Sequence, residues 1–379
     1  MRVGQVTTLG DYKQLTGKDT LLLNEAVGGT ATSVYESLHG GVKMSVLGAG
    51  DYVVRETKQV HNYVSGNPHV FEQTTIDLTP AAGVVKQMGY FSSDAVAPYD
   101  AGLDGFCLET DDTTVLLKVY KQGVAVFSAA QATWDDPLDG TGASGVTIDP
   151  SAFNVLIGEF LYLGGTVFRA GMIVGPKIAW FHTFENSNNR NSTFVGSPTQ
   201  PLRWSIRSTG GAASMYQVCG KVGSVGTVET TGIVTGHSNG ADFVNANVVG
   251  TSYALLGIKA NTRKITLRPT GIGGMTASNS QFLLELRLNP VVAGIFNYAD
   301  SGEGYDEVKG AVDGSNTTTG GKVLGCMYVT GKGSDAIALD NLLRPGCTLA
   351  GIHDTLVLCV TPLGSNLDVY GSIHITVQP

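Results

Sequence analysis

The sequence predicts an all-β protein: a jelly-roll-like antiparallel β-sandwich with long loops and an extended N-terminal arm. Three observations predict it. Short apolar runs recur along the chain, spaced roughly 8–12 residues apart with turn residues between them. Glycine supplies 51 of the 379 residues, roughly twice its average share. No sustained 3.6-residue apolar period runs through the chain, so long helices are not expected.

In chain order, residues 1–45 are polar and rich in Gly and Thr. They are expected to form an arm without a core of its own, ordered against another subunit or the main domain. The main sandwich is expected over 46–290. Its strand-like runs fall at 52–55, 70–78, 84–91, 105–109, 115–120, 124–127, 155–163, 167–174, 178–184, 202–207, 215–222, 253–259, 264–268 and 282–288. Residues 291–379 add runs at 323–330, 356–361 and 373–377, which either complete the sandwich or form a small second β domain.

Alternation supports these assignments. Leu202, Trp204 and Ile206 share one strand face, and Arg203, Ser205 and Arg207 the other. Phe282, Leu284, Leu286 and Leu288 point one way, Glu285 and Arg287 the other. Lys121-Gln122-Gly123 suits a tight hairpin, and Gly175-Pro176 separates two further strands. The Gly- and Thr-rich stretch 299–321 reads as a long exposed loop or a boundary.

Charge narrows the function classes. Only 15% of residues are charged, and the net charge is −8 without any basic block. Direct nucleic-acid binding, which needs a positive face, is not expected. The apolar runs are too short to span a bilayer as helices, and the first residues carry no apolar signal-peptide core. No membrane association, signal peptide or Sec export is expected. The five cysteines, Cys107, Cys219, Cys326, Cys347 and Cys359, are scattered and form no Cys-x-x-Cys pair, which suits buried reduced thiols.

The chemical motifs are weak. Gly140-Thr141-Gly142-Ala143-Ser144-Gly145 matches a dinucleotide fingerprint only formally, because loop-like residues flank it on both sides. No cofactor is expected. Asp135, Asp136, Asp139 and Asp149 form an acidic loop that either caps turns or offers oxygens to calcium; no other metal site and no catalytic residue is expected. His182, within Trp180-Phe181-His182-Thr183-Phe184-Glu185, reads as a hydrogen-bonded histidine at the sandwich edge, with a polar pair to Glu185 as the functional alternative. His61, His69, His237, His353 and His374 are isolated. Trp134, Trp180 and Trp204 are expected in the core. Asn191-Ser192-Thr193 and Asn316-Thr317-Thr318 match the glycosylation pattern by accident.

Several blocks in order carry a resemblance. They are Arg55-Glu56-Thr57-Lys58 with Tyr63 and Gly66, then Gly102-Leu103-Asp104-Gly105-Phe106. The long run from Trp134 through Gly145 to Asp149-Pro150-Ser151 follows. Phe160–165, Val167-Phe168-Arg169-Ala170-Gly171, His182–188 and Pro201-Leu202-Arg203-Trp204-Ser205-Ile206 complete it. Over residues 50–290 the chain resembles a group of structural virion proteins of tailed phages and large DNA viruses. It departs from them at Trp204-Ser205, where similar chains carry a Tyr-Glu pair, and at Gly165-Thr166.

The resemblance implies a β-sandwich virion component, as capsid, decoration or tail-associated protein, with no catalytic residues to carry over. The expected partners are copies of the chain itself and other virion proteins, with a host surface glycan as a further one, and the expected location is the virion, after synthesis in the host cytoplasm without a signal peptide. Low charge density fits a surface covered by neighbouring subunits. The alternative is a carbohydrate- or receptor-binding adhesion module using loops 184–201 and 299–321. A polysaccharide-degrading enzyme would need two carboxyls held in one cleft, with Asp135, Asp139, Asp149 and Glu159 as the available acids.

Overall fold

The computed structural model describes residues 6–226, 232–330, 333–339 and 344–378, with backbone alone for 333–335. The chain divides into two compact units, Met1–Glu229 and Thr230–Pro379.

The first unit holds β1 (Val6–Tyr12), β2 (Leu23–Gly28), β3 (Thr32–Glu36), β4 (Gly41–Val46), β5 (Tyr52–Thr57), β6 (His69–Ile76), β7 (Val84–Ser93), β8 (Gly102–Thr110), β9 (Val115–Lys121), β10 (Val124–Ala130), β11 (Phe153–Leu161), β12 (Val167–Val174), β13 (Lys177–Glu185), β14 (Leu202–Ser208) and β15 (Ala213–Val225). One sheet runs β13-β12-β11-β6-β15-β4-β3, with β1 also pairing β15. The other runs β10-β9-β8-β7-β14-β5-β2. Every pairing is antiparallel. Alternate side chains of both sheets meet in one apolar core, among them Phe71, Phe106, Phe160 and Phe168 with Trp204. This is the antiparallel β-sandwich expected.

The second unit holds β16 (Ile233–Ser238), β17 (Val244–Ala246), β18 (Tyr253–Ala260), β19 (Thr266–Thr276), β20 (Phe282–Leu288), β21 (Val291–Val292), β22 (Ala299–Asp300), β23 (Tyr305–Lys309), β24 (Thr318–Thr319), β25 (Lys322–Val329), β26 (Gly333–Ala338), β27 (Thr355–Pro362) and β28 (Leu367–Gln378). A five-stranded sheet runs β16-β28-β19-β26, with β17 also on β28. A six-stranded sheet runs β22-β23-β18-β27-β20-β25. Leu255, Ile272, Leu284, Leu358 and Ile373 from both sheets share a second, separate core. Among the described residues no helix is long and apolar enough to cross a membrane.

Three expectations need correction. Residues 6–45 are ordered against the main domain but do not form an extended arm, for Tyr12, Leu23 and Met44 are buried in the first core, and β2 and β4 pair with β5 and β15. Their polar composition hid the pairing because alternate residues face solvent. The division expected at 290 falls instead at 229/230. The run 253–288 belongs with the C-terminal strands, because β20 pairs with β25 and β27. The stretch 299–321 is likewise no free loop, since it contributes β23, which pairs along β18.

The turns follow the sequence closely. Gln122 (φ 49°) and Gly123 (φ 84°) close the β9–β10 hairpin with two positive φ values, the backbone that a twisted two-residue hairpin requires.

Candidate functional site

The acidic loop between β10 and β11 gives each aspartate a local duty. The Asp136 carboxylate accepts hydrogen bonds from the amides of Leu138 (3.1 Å) and Ser144 (2.7 Å). Burial alone would raise its pKa, but the Ser144 and Leu138 donors bring it below the ordinary value. Asp139 accepts from the Thr141 hydroxyl and amide, and Asp149 from the Ser151 hydroxyl and amide; these donors lower both pKa values. Asp135 accepts from the Thr183 amide at 2.8 Å. Among the described residues no three His, Cys, Asp or Glu side chains gather into a metal-holding group. The geometry gives Asp136, Asp139 and Asp149 turns to cap and ties Asp135 to β13. Gly140 to Gly145 lies in this same turn region, between neither strand nor helix.

His182 sits on β13, an edge strand of its sheet. Its ring stacks on Phe127 at 5.3 Å, and Nδ1 lies 3.3 Å from Asp135. The partner is thus Asp135 and not Glu185, which is exposed. A bulge between the Ala170 and Gly171 pairs shifts the parity of β13. Ala179 and Phe181 face the core before it and Phe184 after it. Trp180 therefore leaves the core, contrary to expectation, and the Arg169 guanidinium packs 3.8 Å from its ring. Arg169 also holds Glu159 through Nε (3.1 Å) and Nη2 (2.9 Å). Trp134 and Trp204 are buried as expected.

Sequence reasoning missed a polar network on the outer face of the seven-stranded sheet. Gln87, Glu109, Lys118, Tyr120, Arg203 and Ser205 come from four neighbouring strands, on the face opposite Trp204 and Ile206. Glu109 accepts hydrogen bonds from Gln87 (2.7 Å), Tyr120 (3.0 Å) and Lys118. The Ser205 hydroxyl donates to Gln87 at 2.7 Å. Arg203, fully buried, pairs with Glu56 at 2.8 Å and also donates to the Tyr99 carbonyl. Burial raises the pKa of Tyr120, and of the neighbouring Cys107 thiol, well above their ordinary values. With both carboxylate oxygens of Glu109 engaged, the network holds the sheet face together and offers no free base or nucleophile. The alternating charges of β14 were its one visible signal.

The edge strands show a different property. Val34 on β3 and Ile178 on β13, at the two ends of one sheet, are exposed, as are Val27 on β2 and Val124 on β10 at the ends of the other. In the second unit β16 exposes two consecutive apolar residues, Ile233 (64%) and Val234 (73%), and β25 exposes Val323 and Tyr328. Strand β16 contains no Lys, Arg, Asp, Glu or Pro, the residues that normally block edge pairing. Of the two asparagines in glycosylation-like triplets, Asn316 is buried, its amide holding Ala293, Ile295 and Ala311 backbone groups, whereas Asn191 is exposed.

No family model matches the chain, and no curated protein matches it. Among solved structures it is similar to a Bacillus licheniformis β-glucanase, with 13% identity and a TM-score of 0.36, over 60% of this chain and 100% of that one. The Emp47p carbohydrate recognition domain gives 13% and 0.35, over 59% and 98%. A carbohydrate esterase from the Shiga toxin-encoding bacteriophage phi24B gives 14% and 0.35, over 59% and 100%. Identities and TM-scores this low carry neither residue correspondences nor activities across.

Proposed function

We propose that the chain is a non-enzymatic structural protein of a virus particle that assembles with copies of itself and with other virion proteins. The observation that carries this reading is the unblocked apolar edge of β16, where Ile233 and Val234 stand exposed beside an unpaired strand edge among the described residues. The resemblance of its ordered sequence blocks to those of virion proteins and the low charge density support it. So does the engagement of Glu109 with Gln87, Glu159 with Arg169, Asp136 with the Ser144 amide and Arg203 with Glu56, which gives these groups structural work.

Mass photometry and sedimentation of the purified chain test the proposal. The native chain is expected to form oligomers, and Val234→Lys to shift them toward monomer. A chain that stays monomeric at high concentration, and is absent from purified particles by mass spectrometry, would overturn it.

A further inference from the structure

We infer that the second unit carries a binding site for a neutral saccharide on the outer face of its five-stranded sheet. A cleft of about 570 Å³ opens there over β19 and β28, within the size range of small-ligand sites. Register places Met275 opposite Tyr370 and Gly273 opposite Ser372. A Cβ on Gly371 would meet Leu255 and Leu358 at 2.7 and 2.8 Å, and one on Gly274 would meet Leu284 at 3.1 Å. These two glycines, paired across the strands, thus face the core, and their chain neighbours Gly273, Met275, Tyr370 and Ser372 face the cleft.

The resulting surface has a definite chemistry. Its floor at Gly273 has no side chain, so a ligand can approach the sheet closely. Tyr370 and the exposed Met275 supply apolar contact area. Among the described residues the hydroxyls of Tyr370 and Ser372 carry no hydrogen bond, and Ser238 Oγ only accepts one, from the Gly240 amide at 3.3 Å. Among the described residues no charged side chain lines the cleft. An ionic ligand would find no counter-charge, and a plain hydrocarbon would leave hydroxyls desolvated without partners. A pyranose has an apolar C–H face for Tyr370 and a rim of neutral hydroxyls for Ser238, Ser372 and Tyr370.

This inference does not rest on the assembly reading. Saturation-transfer NMR on the full chain with cellobiose, maltose, lactose and diacetylchitobiose tests it. At least one of the four is expected to bind, with affinity falling tenfold or more in both Tyr370→Ala and Ser372→Leu. Ser365→Leu, on an exposed turn, is expected to leave binding unchanged. Circular dichroism checks that each variant folds, and Tyr370→Ala decides the matter if Ser372→Leu does not. Absence of transfer to all four sugars at millimolar concentration, or binding that Tyr370→Ala leaves intact, would overturn the site while leaving oligomerisation untouched.

Discussion

His69 on β6 is buried between the rings of Tyr63 (5.2 Å) and Phe160 (5.5 Å), and neither ring nitrogen has a hydrogen-bond partner among the described residues. Burial, with the charge of nearby His61 second, pushes its pKa down to about 3. The folded ring therefore stays neutral while the unfolded one takes a proton below pH ~6.5. Stability is expected to fall with acidification from about pH 6.5 to about 3, by up to ~1.4 kcal/mol per pH unit. His69→Leu should flatten that slope in urea titrations run at several pH values. Asp51 acts in the same direction at lower pH. Its carboxylate accepts from the amides of Leu47 (2.8 Å), Thr30 (2.6 Å) and Gly48 (3.1 Å), which hold its pKa at about 2. Its contribution is present above about pH 4 and lost as pH falls through 2, so Asp51→Asn should lower stability at pH 5 and shallow the acid limb of tryptophan-fluorescence unfolding. Glu56→Ala would leave the fully buried Arg203 guanidinium without its carboxylate, a change expected to cost about 3–5 kcal/mol in urea unfolding.

At the scale of strands, alternation made β14 and β20 legible: Leu202, Trp204 and Ile206 in one core, and Phe282, Leu284 and Leu286 in the other. Alternation failed at Trp180, because one bulge on β13 reverses which residues face inward and leaves no mark in composition. Close strand spacing was equally invisible. A Cβ on Gly89 of β7 would lie 2.1 Å from the Phe106 carbonyl oxygen of β8, whereas one on Gly17 would meet nothing within 4 Å. Gly89→Ala is therefore expected to destabilise by about 1–3 kcal/mol, and Gly17→Ala to leave the thermal midpoint near that of the native chain. Calorimetry distinguishes the two, one a glycine between Met88 and Tyr90 and the other between Thr16 and Lys18.

At the scale of the molecule, two separate cores predict two folding units. A fragment of residues 230–379 is expected to unfold cooperatively with its own midpoint, because its apolar cluster draws on no residue of the first unit. A fragment that gives no cooperative transition would show that the unit depends on the rest of the chain. The amino-acid sequence by itself determined the all-β character, the tight hairpins and most core faces, since these follow from two-residue periodicity and from glycine's backbone freedom, both local properties. Only the tertiary structure decided where one unit ends, how the first 45 residues join the sheets, and that Glu109, Gln87, Ser205 and Arg203 meet on one face. The cleft over Gly273 and Ser372 was decided there too. Those outcomes depend on which distant strands become hydrogen-bonded neighbours, and strand pairing between residues far apart in the chain is a property no local pattern encodes.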